Sequence, residues 1–583
     1  MRRILVSLAC AAILSAQPQP TFVMADIHVS PDTANLPGGA IYRFLPYVGG
    51  GLYQIRRQTL ADLVRQAYGM DADKVLGGPN WMEWEVFDLN AKLPPESTAE
   101  TQKVMLQNLL ADRFKLVVHK DNKELQAYAL TAGKTPKIKQ TEGPGDTGCK
   151  SQITGPGVTA MPGGGFRIDS MAGAIMQAWT CHNQTMEAFV TILRNQVSQN
   201  NTVYPVVDQT ELKGGWDFEF KTTLRFGGPV SSSPSDTITI FDAVDKQLGM
   251  KLTAIKMPLQ VLIVDSAQKP SPNAPGVTEA MAVEHPKEFD VADVKPTEPG
   301  GRGGRLQVTK GGGVNFQNLP LRTLILQAYG LQNNMLIPGA GMDEALQTQY
   351  TILAKPPAPT KADSGSGPET SGPQGPQGPQ ASPDDAESAW QMMRTLLEDR
   401  FKLKMHKEER PLTAWKLVAV KPKMKKADPS ERTKTTEGPG ADGKDPRTAT
   451  PSRSRLTMFQ NVTMDQFAEK LMGISAWLST PVVNATNLEG SYDFTINYSP
   501  VGMAGLSAGP NGGPPISIGG GRGGLEAAGP AQGASGLAEA AEPNGAITLF
   551  EAIEQQLGLK LVEDKRPVTV WVIDHVEAKP TDN

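Results

Sequence analysis

The chain has 583 residues, with 57 Lys and Arg against 61 Asp and Glu, a formal net charge of -4. That length exceeds one hydrophobic core and predicts two to four domains, while the slightly acidic balance excludes nucleic-acid binding driven by phosphate neutralisation. With 59 glycines and 47 prolines, long irregular stretches are expected between the folded parts.

Residues 1–16 read as an export signal. Arg2 and Arg3 precede the apolar run Ile4–Leu14, which is too short to span a bilayer, and Leu14-Ser15-Ala16 resembles a small-residue cleavage site. Cys10 after Ser7-Leu8-Ala9 is a weaker lipoprotein-like feature. No later segment reaches the roughly 20 apolar residues of a spanning helix, so no membrane span is expected in the mature chain, which is placed in the periplasm or secreted. Cleavage leaves Cys149 and Cys181, an even pair that an oxidising compartment would join as one disulfide; two free thiols are the alternative.

The chain then writes itself twice. "FVMADIHVSP" (22–31) parallels "FDVADVKPTE" (289–298), "LADLVRQAYG" (60–69) parallels "LRTLILQAYG" (321–330), and "LLADRFKL" (109–116) returns as "LLEDRFKL" (396–403). "NQTMEAFVTIL" (183–193), "PVVDQTELKGGWDFEF" (205–220) and "IFDAVDKQLGMKL" (240–252) recur in the same order as "NVTMDQFAEKL" (461–471), "PVVNATNLEGSYDFTI" (481–496) and "LFEAIEQQLGLKL" (549–561). The organisation is a tandem duplication: a first repeat domain at 21–268, a linker at 269–287 and a second repeat domain at 288–577. Insertions expected to be disordered lie near 355–388, 421–455 and 499–544, all in the second copy.

Within a copy the hydrophobic period switches from helical to alternating at Asp112-Arg113, and again at Gly249. Aligned on their Lys-Leu, the four places read Arg-Phe-Lys-Leu, Gly-Met-Lys-Leu, Arg-Phe-Lys-Leu and Gly-Leu-Lys-Leu. A helix-to-strand corner tolerates Gly for Arg and catalysis does not, so the repeated octet is read as architecture. "DNKE" (121–124) and "EERP" (408–411) are expected to turn the chain into a second strand. Each copy then holds two units of helix, strand, strand, helix, strand, strand, introduced by "GGLYQIRR" (50–57) and "GGGFRIDS" (163–170). The fold class is α+β, with helices on one face of small sheets.

The string "TMEAFVTILRNQ…TVYPVVDQTELKGGWDFEFKTTL…IFDAVDKQLGMKL…VLIVD" resembles the short N-terminal domain shared by secretins and TonB-dependent receptors. Through "QAYG", "GGPNW", "FDLNAK", "LLADRFKL", "PVVD…G.WDF" and "QLGMKL…VLIVD" the whole chain resembles a family of uncharacterised, exported acidobacterial proteins, a domain of unknown function carried here in two copies. The second copy departs from that pattern, reading "IPGAGM" (337–342) for "GGPNW", so no binding role of Trp81 is expected in both.

His119 and His406 occupy equivalent positions and are candidate bases or metal ligands, but each lies on the polar face of a strand and reads as solvated. Asp112-Arg113 and Asp399-Arg400 read as helix-end pairs, Asp265 and Asp574 as strand-end residues, and Asp217 and Asp493 as structural. The two "GRGG" runs, 301–304 and 521–524, are too isolated to mark RNA binding, and "NQT" and "NVT" read as N-caps through Thr185 and Thr463. No catalytic residue, cofactor or metal ligand is assigned. The expected function is non-enzymatic binding in the bacterial envelope, with an envelope protein or cell-wall polymer as partner; an extracytoplasmic sensor and an envelope hydrolase are the alternatives.

Overall fold

A computed structural model describes residues 19–30, 46–71, 74–142, 146–155, 158–161, 165–168, 175–199, 205–223, 238–282, 285–297, 305–357, 381–437, 455–474, 478, 482–498 and 547–581. The export signal with Cys10, both "GRGG" runs, the "GPQ" repeats and the Gly- and Ala-rich stretch at 499–544 lie outside them.

The first copy opens with β1 (Met24–Val29), β2 (Tyr47–Gly49), β3 (Leu52–Thr59), α1 (Leu60–Tyr68), β4 (Val75–Gly77), β5 (Val86–Lys92) and α2 (Ala99–Arg113). It continues through β6 (Val117–Ala132), β7 (Lys139–Gln140), β8 (Gly148–Thr154), the hairpin β9 (Val158–Met161) and β10 (Gly165–Ile168), β11 (Met176–Gln184) and α3 (Met186–Gln199). It closes with β12 (Val206–Asp208), β13 (Trp216–Thr223), the short α4 (Ile240–Asp242) running into a π turn, and β14 (Met250–Ser266). A further helix, α5 (Val277–Met281), follows. Three four-stranded sheets result, ordered β1-β5-β3-β2, β7-β13-β11-β8 and β12-β6-β14-β4.

The second copy repeats this. It comprises β15 (Val291–Pro296), β16 (Arg305–Val308), β17 (Val314–Pro320), α6 (Leu321–Tyr329), β18 (Leu336–Ile337), α7 (Asp343–Gln347), β19 (Gln349–Lys355) and α8 (Pro383–Arg400). Then come β20 (Lys404–Ala419), β21 (Lys425–Lys426), β22 (Lys434–Glu437), β23 (Arg455–Thr463), α9 (Met464–Ile474), β24 (Val482–Asn484), β25 (Ser491–Tyr498), α10 (Leu549–Ala552) and β26 (Leu559–His575). Its sheets are β15-β19-β17-β16, β21-β25-β23-β22 and β18-β26-β20-β24. The α+β class and the duplication stand as read from sequence. Three details differ. Residues 421–437 and 383–388, expected as insertion, carry β21, β22 and the start of α8, and the strand that introduces the second unit is β11 rather than "GGGFRIDS".

The largest difference is at "DNKE" and "EERP", which turn nothing. They lie in the middle of β6 and β20, each one 16-residue strand, paired antiparallel along its length with the 17-residue β14 or β26. Each ribbon ties its two units together. One end of the first carries Leu262 and Val264 into the core of Phe87, Leu106 and Phe114; the other carries Leu130 and Met250 into the core of Phe189, Phe218 and Val244. The third strand added at each end is parallel, β4 on β14 and β12 on β6. A unit therefore completes its core with a strand belonging to the other. Between the cores Lys120, Asn122 and Glu124 are exposed, so polar residues there mark an open ribbon rather than a turn.

The four corners exist, two residues out of the register read above. The residue ending the helix is Phe114, Leu248, Phe401 or Leu557, each buried in a core. The residue after it is left-handed: Lys115 (φ 50), Gly249 (φ 66), Lys402 (φ 51) and Gly558 (φ 67). Glycine thus replaces Lys, whose conformation it favours, and Arg113 and Arg400 align with Gln247 and Gln556. The arginines instead hold the chain that leaves the ribbon. Phe114 O accepts Gln268 N–H at 2.7 Å, and the Arg113 side chain donates to Ser271 O and to Asn273 Oδ1 (2.7 Å). Phe401 O accepts Glu577 N–H (2.8 Å) while Arg400 Nε donates to Thr581 O (2.5 Å). Residues 271–278 are accordingly docked, with Asn273 and Thr278 on Asp26 of β1.

A second fourfold feature precedes each unit's first helix. The strand bulges at a left-handed residue, Arg57, Asn183, Asn318 or Asn461. In three units a carboxylate on the neighbouring strand accepts that residue's N–H: Asp88 at 2.8 Å, Asp217 at 2.9 Å and Asp493 at 2.9 Å. The fourth unit has Thr351 there. Thr185 and Thr463 then cap α3 and α9 as expected, accepting Ala188 N–H (3.3 Å) and Gln466 N–H (3.2 Å). Asp88 also accepts the buried Ser30 hydroxyl at 2.6 Å. Asp88→Ala is expected to cost about 2–3 kcal/mol, because two donors lose a charged acceptor; urea unfolding of the variant checks it.

Candidate functional site

The ribbons bring together residues that the sequence keeps far apart. His119 Nδ1 lies 2.9 Å from Asp265 Oδ2, and His406 Nδ1 lies 2.8 Å from Asp574 Oδ1. The two pairs are equivalent, one on each ribbon, and span 146 and 168 residues of sequence. Nothing in the sequence couples His119 to Asp265; only the register of β6 against β14, with His119 opposite Ile263, makes them diagonal neighbours. Both partners are about half exposed, so each pair is a screened surface contact worth roughly 0–1 kcal/mol. His406 Nε2 also has Glu408 Oε2 at 3.8 Å, and Arg410 donates to that same oxygen at 2.9 Å.

The other candidates disperse. Asp112 is exposed and faces Lys115 at 3.7 Å. Asp217 braces its bulge and pairs with His182 at 2.8 Å. The Thr141 hydroxyl above all, then Asn183 N–H and His182, holds its carboxyl below the usual carboxylate range. Its contribution is therefore complete above the unfolded value near pH 4 and is lost as pH falls through the lower folded value. Among the described residues no group of three His, Cys, Asp or Glu is placed to hold a metal ion, and no helix is long and apolar enough to cross a membrane.

Cys149 and Cys181 do meet, joined across β8 and β11. The second copy has Thr435 and Phe459 at these two positions, and Phe459 is fully buried against Phe467 and Phe494 at 5.1 and 4.9 Å. A covalent tie in one copy stands where an aromatic cluster stands in the other.

The outer edges of the ribbons are the surfaces they leave open. β12 pairs with β6 only at Tyr128–Leu130, and β4 with β14 only at Leu262–Val264. No described strand pairs with the outer edge over 117–127 or 250–261, and the same holds for the second ribbon over 404–414 and 559–570. At the centre Pro411 stands opposite Pro567, and Pro258 opposite Glu124. Proline has no N–H, so these are positions whose nitrogens point outward, and they interrupt the edge's row of donors. Asn122, two residues along, gives its outward N–H to its own Asp121 side chain at 2.8 Å.

The fold and these surfaces define a class: an α+β protein made of two copies of a module in which two units share one long ribbon. The chain belongs to the family described as protein of unknown function (DUF3738), whose model matches residues 61–267 and 322–576. No curated protein and no solved structure matches it.

Proposed function

We propose that this chain is an exported, non-enzymatic binding protein of the bacterial envelope, taking a short extended segment of an envelope partner onto its ribbon edges. The carrying observation is the open outer edge of each long strand, repeated four times. Unpaired backbone donors and acceptors there suit an added strand. The central prolines limit such a strand to the few residues on either side of them, which favours a short peptide over edge-to-edge aggregation. The Cys149–Cys181 bond supports an oxidising compartment, in keeping with the export signal read at 1–16. The resemblance of the units to the short N-terminal domain of secretins and TonB-dependent receptors supports an envelope partner.

Capture from envelope extract with the tagged mature chain tests this reading. Recovery of one partner in stoichiometric amount is expected. Glu124→Pro with Glu409→Pro, which removes two outward N–H groups while sparing the ladder, is expected to abolish recovery. His119→Ala with His406→Ala is expected to leave it intact. Recovery that survives the proline pair, or repeated recovery of nothing, contradicts the proposal.

A further inference from the structure

The two copies touch through residues they do not share. Arg432, in the loop between β21 and β22 and 9% exposed, reaches into the first copy. It donates to Gly77 O, to Val75 O at 3.0 Å and to the carboxylate of Glu83. Thr433 N–H donates to Asn80 O at 2.9 Å. Trp84 of the first copy packs on the second copy's core of Phe459, Phe467 and Phe494, with Lys470 Nζ 4.8 Å from its ring centroid. Arg56 adds an ion pair to Asp384 at 2.9 Å. The consecutive left-handed Gly77 (φ 70) and Gly78 (φ 83) shape this edge, and a Cβ on Gly77 would stand 2.7 Å from Val264 O.

The contact is heterologous: one face of the first copy meets a different face of the second. Repeated between like copies, such a contact builds a ring or an open series. Both unused faces have lost its residues. The first copy has Asp146 where the second has Arg432, and Ile192 where it has Lys470. The second copy has 338–342 followed by α7 where the first has Gly78–Trp84, with neither tryptophan.

We infer that segment 77–84 and the Arg432 loop with α9 form a lock specific to these two copies, strong enough to hold them together without a peptide link and closed so that the chain is a monomer. The partner each face fits is the other copy. Buried opposite charges and a packed tryptophan are the contacts that dominate such interfaces.

The experiment uses the full chain with a protease site inserted between Ala282 and His285. Light scattering of the uncut chain is expected to give one chain per particle, and the cut halves are expected to co-elute at micromolar concentration. Trp84→Ala, whose packing partners lie in the second copy, and Arg432→Ala, whose side-chain acceptors lie in the first, are each expected to weaken the association about a hundredfold. The halves then separate after cutting while each keeps its circular dichroism. Separation of the unsubstituted halves, co-elution unaltered by both variants, or oligomers of the uncut chain that Arg432→Ala abolishes would each overturn the inference.

Discussion

Phe114→Ala is expected to destabilise the first copy by about 3–5 kcal/mol, while Lys115→Gly beside it stays within about 1 kcal/mol of the unsubstituted chain. Phe114 is fully buried at the end of α2, edge-on to Phe87 at 5.2 Å. Its counterpart Phe401 makes the same contact with Tyr350 at 4.9 Å. Truncation leaves a cavity between two layers that the ribbon holds apart. Lys115 points to solvent in a left-handed conformation, and its pair with Asp112 is exposed. Glycine removes the steric cost of that conformation and adds entropy to the unfolded chain, two effects of similar size and opposite sign. Arg113→Gly, which an alignment on Lys-Leu equates with Gly249 and so treats as harmless, is expected to be clearly destabilising because it releases Ser271 and Asn273. Urea unfolding of the three variants separates the two registers.

The second large effect is at the disulfide. Cys149→Ser with Cys181→Ser, or reduction of the native chain, is expected to cost the first copy about 3–4 kcal/mol from its 32-residue separation. That corresponds to roughly 10 °C in the melting temperature of a copy of this size. The second copy supplies its own control, since Phe459 fills the equivalent place. Calorimetry under reducing conditions is expected to move one transition and spare the other. Cys149→Thr with Cys181→Phe, which writes the second copy's residues into the first, is expected to recover part of the loss and to be indifferent to reductant.

Much of the fold was legible because each segment is written more than once. The duplication follows from the repeated segments, and the switch of period at Asp112-Arg113, where α2 ends, follows from apolar spacing. What stayed hidden depended on partners distant in the chain. "DNKE" resembles a turn since charged residues cluster there; a ribbon open on both faces carries the same composition, and only its pairing with Pro258–Val261 distinguishes the two. The corner's register was obscured by an identical Lys-Leu in the wrong place. The better signal was the large apolar residue before it, Phe114 or Leu248, which must be buried for the helix to end on the sheet. The His119–Asp265 pair was invisible for a third reason: neither residue has a neighbour in sequence that suggests the other. The lock showed only as its loss, in the missing "GGPNW" of the second copy.

Two units share one core-bearing ribbon only because β6 and β14 run past each other unbroken. Asn122 and Gln260 stand opposite at its centre, in the same alternation as Glu124 and Pro258 and therefore as a closely spaced, non-hydrogen-bonded pair. Peptide mapping of the Asn122→Cys, Gln260→Cys chain after mild oxidation is the direct measurement. A near-complete 122–260 cross-link, with Cys149–Cys181 preserved, is the predicted result. A chain that turns at 121–124 would leave those thiols free or joined at random, and that finding would contradict it.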